Sequence, residues 1–209
     1  MAKQIAAVDP PPATKSARSR QRILDSAARV FRVRGNAARL CDIAEEAGMQ
    51  TGSLYYHFDG RDRLVEEVLR LGVERSWDAV RSALDALGPD ATPAVRLETA
   101  IRAHAASVLE LSDYCAANSR IFSLAPAEVR DRHYSHQQAY GEFFHQLIVE
   151  ALASGELKPG IDPAVVRMLL FGAMNWTVEW YRPDSGRSPR QVIDELVAMV
   201  FDGLRGTQV

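Results

Sequence analysis

The sequence predicts an all-α protein of about nine helices, three short ones followed by about six longer ones. Three observations predict it. Apolar residues recur at spacings of three and four through most of the chain, the period of an amphipathic helix. No run alternates apolar and polar residues as a half-buried strand does, and no Asn-Gly hairpin signal occurs. Finally, Thr92-Pro93, Asp162-Pro163 and Ser188-Pro189 each set a capping side chain before a proline suited to the first helical position.

Taken in order, residues 1–17 are rich in Pro, Ala and Lys and lack periodicity, which reads as a disordered basic arm. From Ser19, Ile23, Ala27, Val30 and Phe31 form one helical stripe that stops near Gly35. Leu40, Ile43, Ala44 and Ala47 make a second, short helix ending at Gly48. Leu54 and Phe58, four apart, supply the buried side of a third. A longer helix opens at Arg61, with Leu64, Val68, Leu71 and Val80 on one face, and runs to the Gly-Pro-Asp break at 88–90. The three proline-marked helices follow the same logic, with Val95, Leu97, Ile101 and Val108, then Val166, Leu169, Leu170 and Met174, then Val192, Leu196, Val200 and Leu204 as their stripes. Ser188 also has Gln191 three residues on, as a capping box requires. Between them, 126–153 reads as a helix carrying Phe143, Phe144, Leu147, Ile148 and Ala151.

Composition excludes several classes. No stretch approaches the ~20 apolar residues of a membrane span, and the N-terminus does not resemble a signal peptide, so a cytoplasmic location is expected. Two cysteines, Cys41 and Cys115, stand far apart and outside any metal-ligand spacing, which predicts reduced thiols. Residues 1–70 carry twelve Lys+Arg against nine Asp+Glu, whereas the whole chain has net charge −2. That local excess suits nucleic-acid contact. His133 and His136, with Asp131 beside them, lack a third ligand at tight spacing and read as a solvated helix face; no metal or cofactor is expected. No GxGxxG, P-loop, GxSxG or paired catalytic motif supports an all-α enzyme.

The functional signal lies at 40–58. A short helix, a turn beginning Gly48-Met49 and a second short helix form a helix-turn-helix, with the preceding helix behind it. Such a second helix enters the major groove with its N-terminal residues towards the base edges. Leu54 and Phe58 would anchor it, leaving Gln50, Thr51, Gly52, Ser53, Tyr55, Tyr56 and His57 for DNA. Hydroxyls and an imidazole can donate to phosphate oxygens, the backbone at Gly52 can come close, and Arg61 adds a cation at the next helix start.

The stretch RQRILDSAARVFRVRGN…DIAEEAGMQTGSLYYHFDGRDRL (21–64) resembles the DNA-binding domain of the TetR family of transcriptional regulators. After the arm at 1–17, the resemblance implies a DNA-binding domain (18–63) and a helical ligand-binding and dimerisation domain (64–209). It implies a homodimer formed by the last two helices, which would supply the second half-site that a single three-helix unit lacks. Thr51 and Gly52 fall at its base-reading positions, and Ser53, Tyr55, Tyr56, His57 and Arg61 at phosphate- or base-contacting ones. Two departures stand out. The segment after Gly35 is one residue shorter than usual and lacks the Thr/Ser that caps the second helix and contacts a phosphate, so Arg39 is the candidate DNA-binding substitute for that contact. Gln50 replaces a common capping Ser.

For the C-terminal domain the resemblance implies a hydrophobic small-molecule effector. His104, Arg120, Tyr140, Phe144, Asn175 and Trp176 are the candidate contacts, each weighed against an ordinary core role. The Asn-Trp-x-x-x-Trp-Tyr-x-Pro pattern at 175–183 resembles a branch responding to acyl-CoA thioesters. The expected function is therefore a ligand-released repressor of a near-palindromic, double-stranded operator. The alternatives are an effector-independent or activating DNA-binding dimer and, further off, an all-α enzyme.

Overall fold

A computed structural model describes residues 14–111, 113–122 and 125–204 of the chain. Among these residues the regular structure is entirely helical. The elements are α1 (Lys15–Arg34), α2 (Leu40–Glu46), α3 (Thr51–Tyr55), α4 (Arg61–Asp85), α5 (Pro93–Ala106), α6 (Asp113–Ile121), α7 (Ala127–Ala153), α8 (Pro163–Trp180) and α9 (Pro189–Leu204). A 3-10 turn, Gly35–Ala37, follows α1, and a π-helical turn, Ser107–Leu111, extends α5. No described helix is long and apolar enough to cross a membrane.

The caps form as their side chains dictate. Thr92 Oγ1 accepts from the Val95 amide at 3.4 Å, and Asp162 Oδ1 from Ala164 at 2.8 Å and Val165 at 3.3 Å. At Ser188 the capping box closes both ways: Oγ accepts from the Gln191 amide at 3.2 Å, and Gln191 Oε1 from the Ser188 amide at 2.8 Å. One start lies earlier than the apolar stripe suggests. Thr14 Oγ1 accepts from the Ala17 amide at 3.1 Å, so α1 opens at Lys15 rather than Ser19. The expected arm therefore loses its last residues to this helix, and residues 1–13 lie outside the described residues.

The missing cap of α2 is replaced from within the helix. Asp42, at the third helical position, accepts the Arg39 amide at 2.8 Å and pairs with the guanidinium groups of Arg34 at 2.9 Å and Arg39 at 3.3 Å. The Arg39 hydrogen bonds, backbone first, hold the Asp42 carboxyl below the usual range. Gly48 then turns the chain with φ +62°, and Gly60 sets the entry into α4 with φ +97°, values that L side chains rarely adopt.

Apolar burial divides into two cores. The first joins Ile23, Leu24, Ala27 and Phe31 of α1 to Ile43, Leu54, Phe58 and the N-terminal half of α4. It also takes in Tyr114, Ala117 and Ile121 of α6 and Val129 of α7. The second gathers the C-terminal half of α4 with α5, α7, α8 and α9 around Leu97, Ile101, Phe144, Ile148, Met174 and Val197. The boundary expected at 63/64 thus cuts through a single core. A three-helix unit of this size leaves an apolar face that α4 and α6 must cover. Glu67 fastens this junction: its buried carboxylate meets Arg20 at 3.0 Å, Arg63 at 2.9 Å and Arg70 at 2.9 Å. Burial works to raise its pKa, and Arg70 and Arg20 outweigh it, leaving the group ionised with its pKa below the usual value.

Two core expectations change. Leu169 and Val95 are exposed, because α8 is apolar all round and α5 places Val95 in its solvent-facing first turn. His133, read as solvated, is only 2% exposed and packs against the Phe122 ring at 5.5 Å, whereas His136 stays at the surface.

Candidate functional site

Two regions concentrate chemistry, the exposed face of α3 and a cavity inside the second core. In α3 the two anchors do what their spacing requires: Leu54 and Phe58 are buried against Ile43 and Ala44. The intervening residues consequently point outward. Tyr55 is 58% and Tyr56 83% exposed, and the Tyr56 and His57 rings meet edge-on with centroids 5.1 Å apart. A Cβ built on Gly52 meets nothing within 4 Å, so its bareness serves something outside the monomer or nothing at all. Gln50 caps α3 through its backbone only, its carbonyl accepting from the Ser53 amide at 2.9 Å, and its side chain is free at the surface. Thr51, Ser53 and His57 are half-buried beside them.

The cations divide differently from the sequence expectation. Arg39 remains exposed despite its pairing with Asp42, and Arg18 and Arg22 lie on the open face of α1. Arg20 is consumed: it pairs with Glu67 and covers the Phe58 ring at 4.8 Å. Arg61, expected on phosphate, turns inward. Its Nε donates to the Ala38 carbonyl at 3.1 Å, and its Nη2 to the Asn36 carbonyl at 3.2 Å and to Asn36 Oδ1 at 3.0 Å. The guanidinium thus ties the post-Gly35 segment to the start of α4. Arg61→Ala is accordingly expected to lower stability by about 1–2 kcal/mol and to leave the salt slope of DNA binding unchanged. A slope reduced by one phosphate with an unaltered melting temperature would return Arg61 to the DNA.

The cavity has a volume of about 710 Å³ and lies among α4, α5, α6, α7 and α8. Of the residues singled out from sequence, His104, Tyr140, Asn175 and Trp176 line it. Phe144 does not; it is fully buried behind the wall, ring-packed against His104, Tyr140 and Phe171. Arg120 does not either, its guanidinium being paired at 3.3 Å with Glu179, which does.

The polar centre of the wall is a chain of three. His104 Nδ1 stands 2.9 Å from Tyr140 Oη, and Nε2 stands 3.2 Å from Asn175 Oδ1. An amide oxygen only accepts, so Nε2 carries the proton and the Tyr140 hydroxyl donates to Nδ1. Burial depresses the His104 pKa to about 4, with the Asn175 bond pulling weakly the other way, and it pushes Tyr140 well above its ordinary value. Near neutral pH the chain is uncharged. It leaves the Asn175 amide hydrogens and a Tyr140 lone pair for a ligand. Around it the wall is apolar or small at Val73, Val108, Phe171, Met168, Gly72 and Gly172, with Ser76 and Cys115 in contact at 3.2 Å, and polar at Gln137, Gln138, Glu142 and Glu179.

Sequence reasoning passed over Arg167, which also lines the cavity. Its signal was visible: it is the single charged residue between Pro163 and Val178. The described residues hold no group of three or more His, Cys, Asp or Glu placed to bind a metal.

Comparison with known proteins gives concordant results. The family model described as "Bacterial regulatory proteins, tetR family" matches residues 23–68, and "Tetracyclin repressor-like, C-terminal domain" matches residues 90–204. The HTH-type transcriptional repressor KstR2 of Rhodococcus jostii is 29% identical over 207 residues, spanning 93% of this chain and 97% of that one. Among solved structures, AibR in complex with isovaleryl coenzyme A and operator DNA superposes with a TM-score of 0.79 at 23% identity, over 88% of this chain and 98% of that chain. The ketosteroid transcriptional regulator KstR2 of Mycobacterium tuberculosis gives 0.76 at 24% identity, over 90% and 95%. At those identities the structural likeness speaks for the fold.

Proposed function

This chain belongs to the TetR family of bacterial transcriptional regulators, DNA-binding proteins rather than enzymes, and we propose that it acts as a cytoplasmic, dimeric repressor released from a near-palindromic operator by a small hydrophobic effector. The observation that carries this reading is the coexistence of an outward-facing α3 with a lined cavity joined to it through shared helices. Gln50, Thr51, Gly52, Ser53, Tyr55, Tyr56 and His57 meet the major groove and its phosphates, with Arg39, Arg18 and Arg22 as the flanking cations.

The effector occupies the 710 Å³ cavity, a volume typical of small-molecule sites. An acyl-CoA thioester is the favoured class, given the isovaleryl coenzyme A held by AibR. The route from cavity to DNA runs through α6 as well as α4. Cys115 and Asn118 of α6 face the cavity, while its Tyr114 hydroxyl donates to Asp25 at 2.8 Å and its Asp113 pairs with Arg32 at 2.7 Å, both on α1. An occupant that moves α6 therefore moves α1 and, through the α2 packed between them, α3. The presence of the cavity favours this over an effector-independent regulator, as differential affinity of the ligand for two states demands a place to bind.

Dimerisation follows from α8. Val165, Leu169, Trp176 and Trp180 recur at helical spacing as exposed apolar side chains of α8, and Met199 of α9 is exposed as well, the kind of surface that marks an interaction site. A second copy of this chain is the proposed occupant, because two half-sites require two α3 helices at fixed separation.

The test begins with selection of a binding site from random duplex DNA. Tyr56→Ala is expected to weaken binding to the selected site about tenfold or more, the worth of a hydrogen bond to a charged group. Its melting temperature should stay within the small range of surface substitutions. Full retention of affinity would move the DNA face elsewhere.

A further inference from the structure

Arg167 is the one cationic side chain among the residues that line the cavity. It lies on α8 with its guanidinium over the bare backbone of Gly141 on α7, where an added Cβ would come within 2.8 Å of Nη1. Its Nε is buried without a hydrogen-bond partner, and no described carboxylate stands within ion-pair distance of it. Glu179 is held by Arg120, and Glu142 is exposed at the rim. A buried donor on a charged group is costly to leave unpaired. Here Gly141 makes room for that arrangement, and it places on the cavity wall a cation without a carboxylate partner, whereas of the two lining carboxylates Glu179 is paired with Arg120 and Glu142 is exposed.

We infer that Arg167 binds an oxyanion of the effector, a carboxylate or a phosphate, so that the cavity selects amphipathic anions over neutral hydrophobic molecules. This rests on the effector reading and deepens it. The geometry also sets a length. Arg167 and Asn175 are eight positions apart on one helix, roughly 12 Å along its axis, with Met168, Phe171 and Gly172 of the cavity wall between them. The ligand is thus an apolar body with an anionic group at one end. About that distance away it carries a neutral hydroxyl, which accepts from the Asn175 amide and donates to the Tyr140 oxygen, or a carbonyl, which accepts from the Asn175 amide alone. A planar guanidinium suits either oxyanion through paired N–H donors.

Calorimetric titration of the full-length protein tests this with 10-hydroxydecanoate, its uncharged counterpart 1,10-decanediol, and decanoyl-CoA. The wild type is expected to bind at least one of the two anions about tenfold or more tighter than the diol. Arg167→Met should remove that preference and leave diol binding unchanged. Loss confined to 10-hydroxydecanoate identifies a carboxylate source, loss confined to decanoyl-CoA a phosphate source, and either supports the assignment. Gly141→Ala displaces the guanidinium while keeping its charge and should weaken the same anion. The ligand-free Arg167→Met protein should melt no lower than wild type, since its unpartnered Nε contributes nothing to the fold; a structural role would lower it. Binding of anion and diol with equal affinity in wild type and Arg167→Met overturns the anion site while the effector cavity stands. Failure of all three probes to bind the wild type counts against both.

Discussion

Acidification from pH 6.5 to pH 4 is expected to remove about 3 kcal/mol of stability through His104 alone. Its folded pKa, about 4, lies below its unfolded value of 6.5, so across that window the unfolded chain binds a proton that the folded one refuses. Stability from this group is complete above pH 6.5 and lost as pH falls towards 4, at 1.36 kcal/mol per unit. His133 acts in the same direction and the same window: burial first, then the charge of His136, depress it to about 4, with Glu66 opposing. Together the two histidines amount to about 6 kcal/mol, comparable with the whole stability of an ordinary domain. The fold should therefore collapse in mild acid. Lower still, Glu66 and Glu67, whose pKa values are depressed, add their own loss as pH falls through them.

Thermal unfolding across pH 4–7 reads this directly. His133→Phe should flatten the slope and raise stability, because it removes the titration together with an Nε2 that is buried without a partner. His104→Phe should also flatten the slope, at the expense of unpairing Tyr140 and Asn175. An acid slope unchanged in both variants would place the pH dependence in other groups.

Gly72→Val is expected to cost about 3 kcal/mol, lowering the melting temperature by roughly 10 °C in a chain of this size. Replacing glycine inside an open helix ordinarily stabilises it by about 1 kcal/mol. At Gly72 the sign reverses, because a Cβ would meet the Tyr114 carbonyl oxygen at 2.9 Å and its carbon at 3.3 Å. That neighbour is backbone on α6 and cannot swing aside as a side-chain tip would. Gly203→Ala is the control, since nothing lies within 4 Å of its Cβ, and it should leave stability equal or higher. A Gly72→Val protein that melts with the wild type would show that α6 gives way freely. The site matters beyond stability: the α4–α6 contact here joins the cavity wall to the Tyr114–Asp25 link with α1, so prising it apart should also weaken operator binding.

Much of this architecture was legible beforehand, and particular residues show why. Thr92, Asp162 and Ser188 act on amides two or three positions away, and Leu54 and Phe58 need only a helical period to share a face. Such rules are local, and the sequence contains them whole. The match at 21–64 likewise pointed to α3, whose tyrosines stand outward because their neighbours are anchors.

The misjudged residues are those whose partner lies far along the chain. Arg61 read as a free cation near DNA, yet Asn36 and Ala38 claim it. His133 sits on a mostly polar helix segment but packs beneath Phe122. Arg120 and Phe144 approach the cavity in sequence without reaching its wall, whereas Arg167, passed over, does reach it. Leu169 marks a face of α8 that no other described helix covers.

By itself the sequence determined the helices, the starts marked by a capping residue before proline and the surface of α3, because hydrogen bonds across one turn and a 3.6-residue period require no knowledge of distant residues. Only the tertiary structure decided which cations remain free, where the cavity lies and which groups face it. A charge is neutralised, and a polar group desolvated, by whatever the fold brings within a few ångströms. That neighbour can be dozens of residues away.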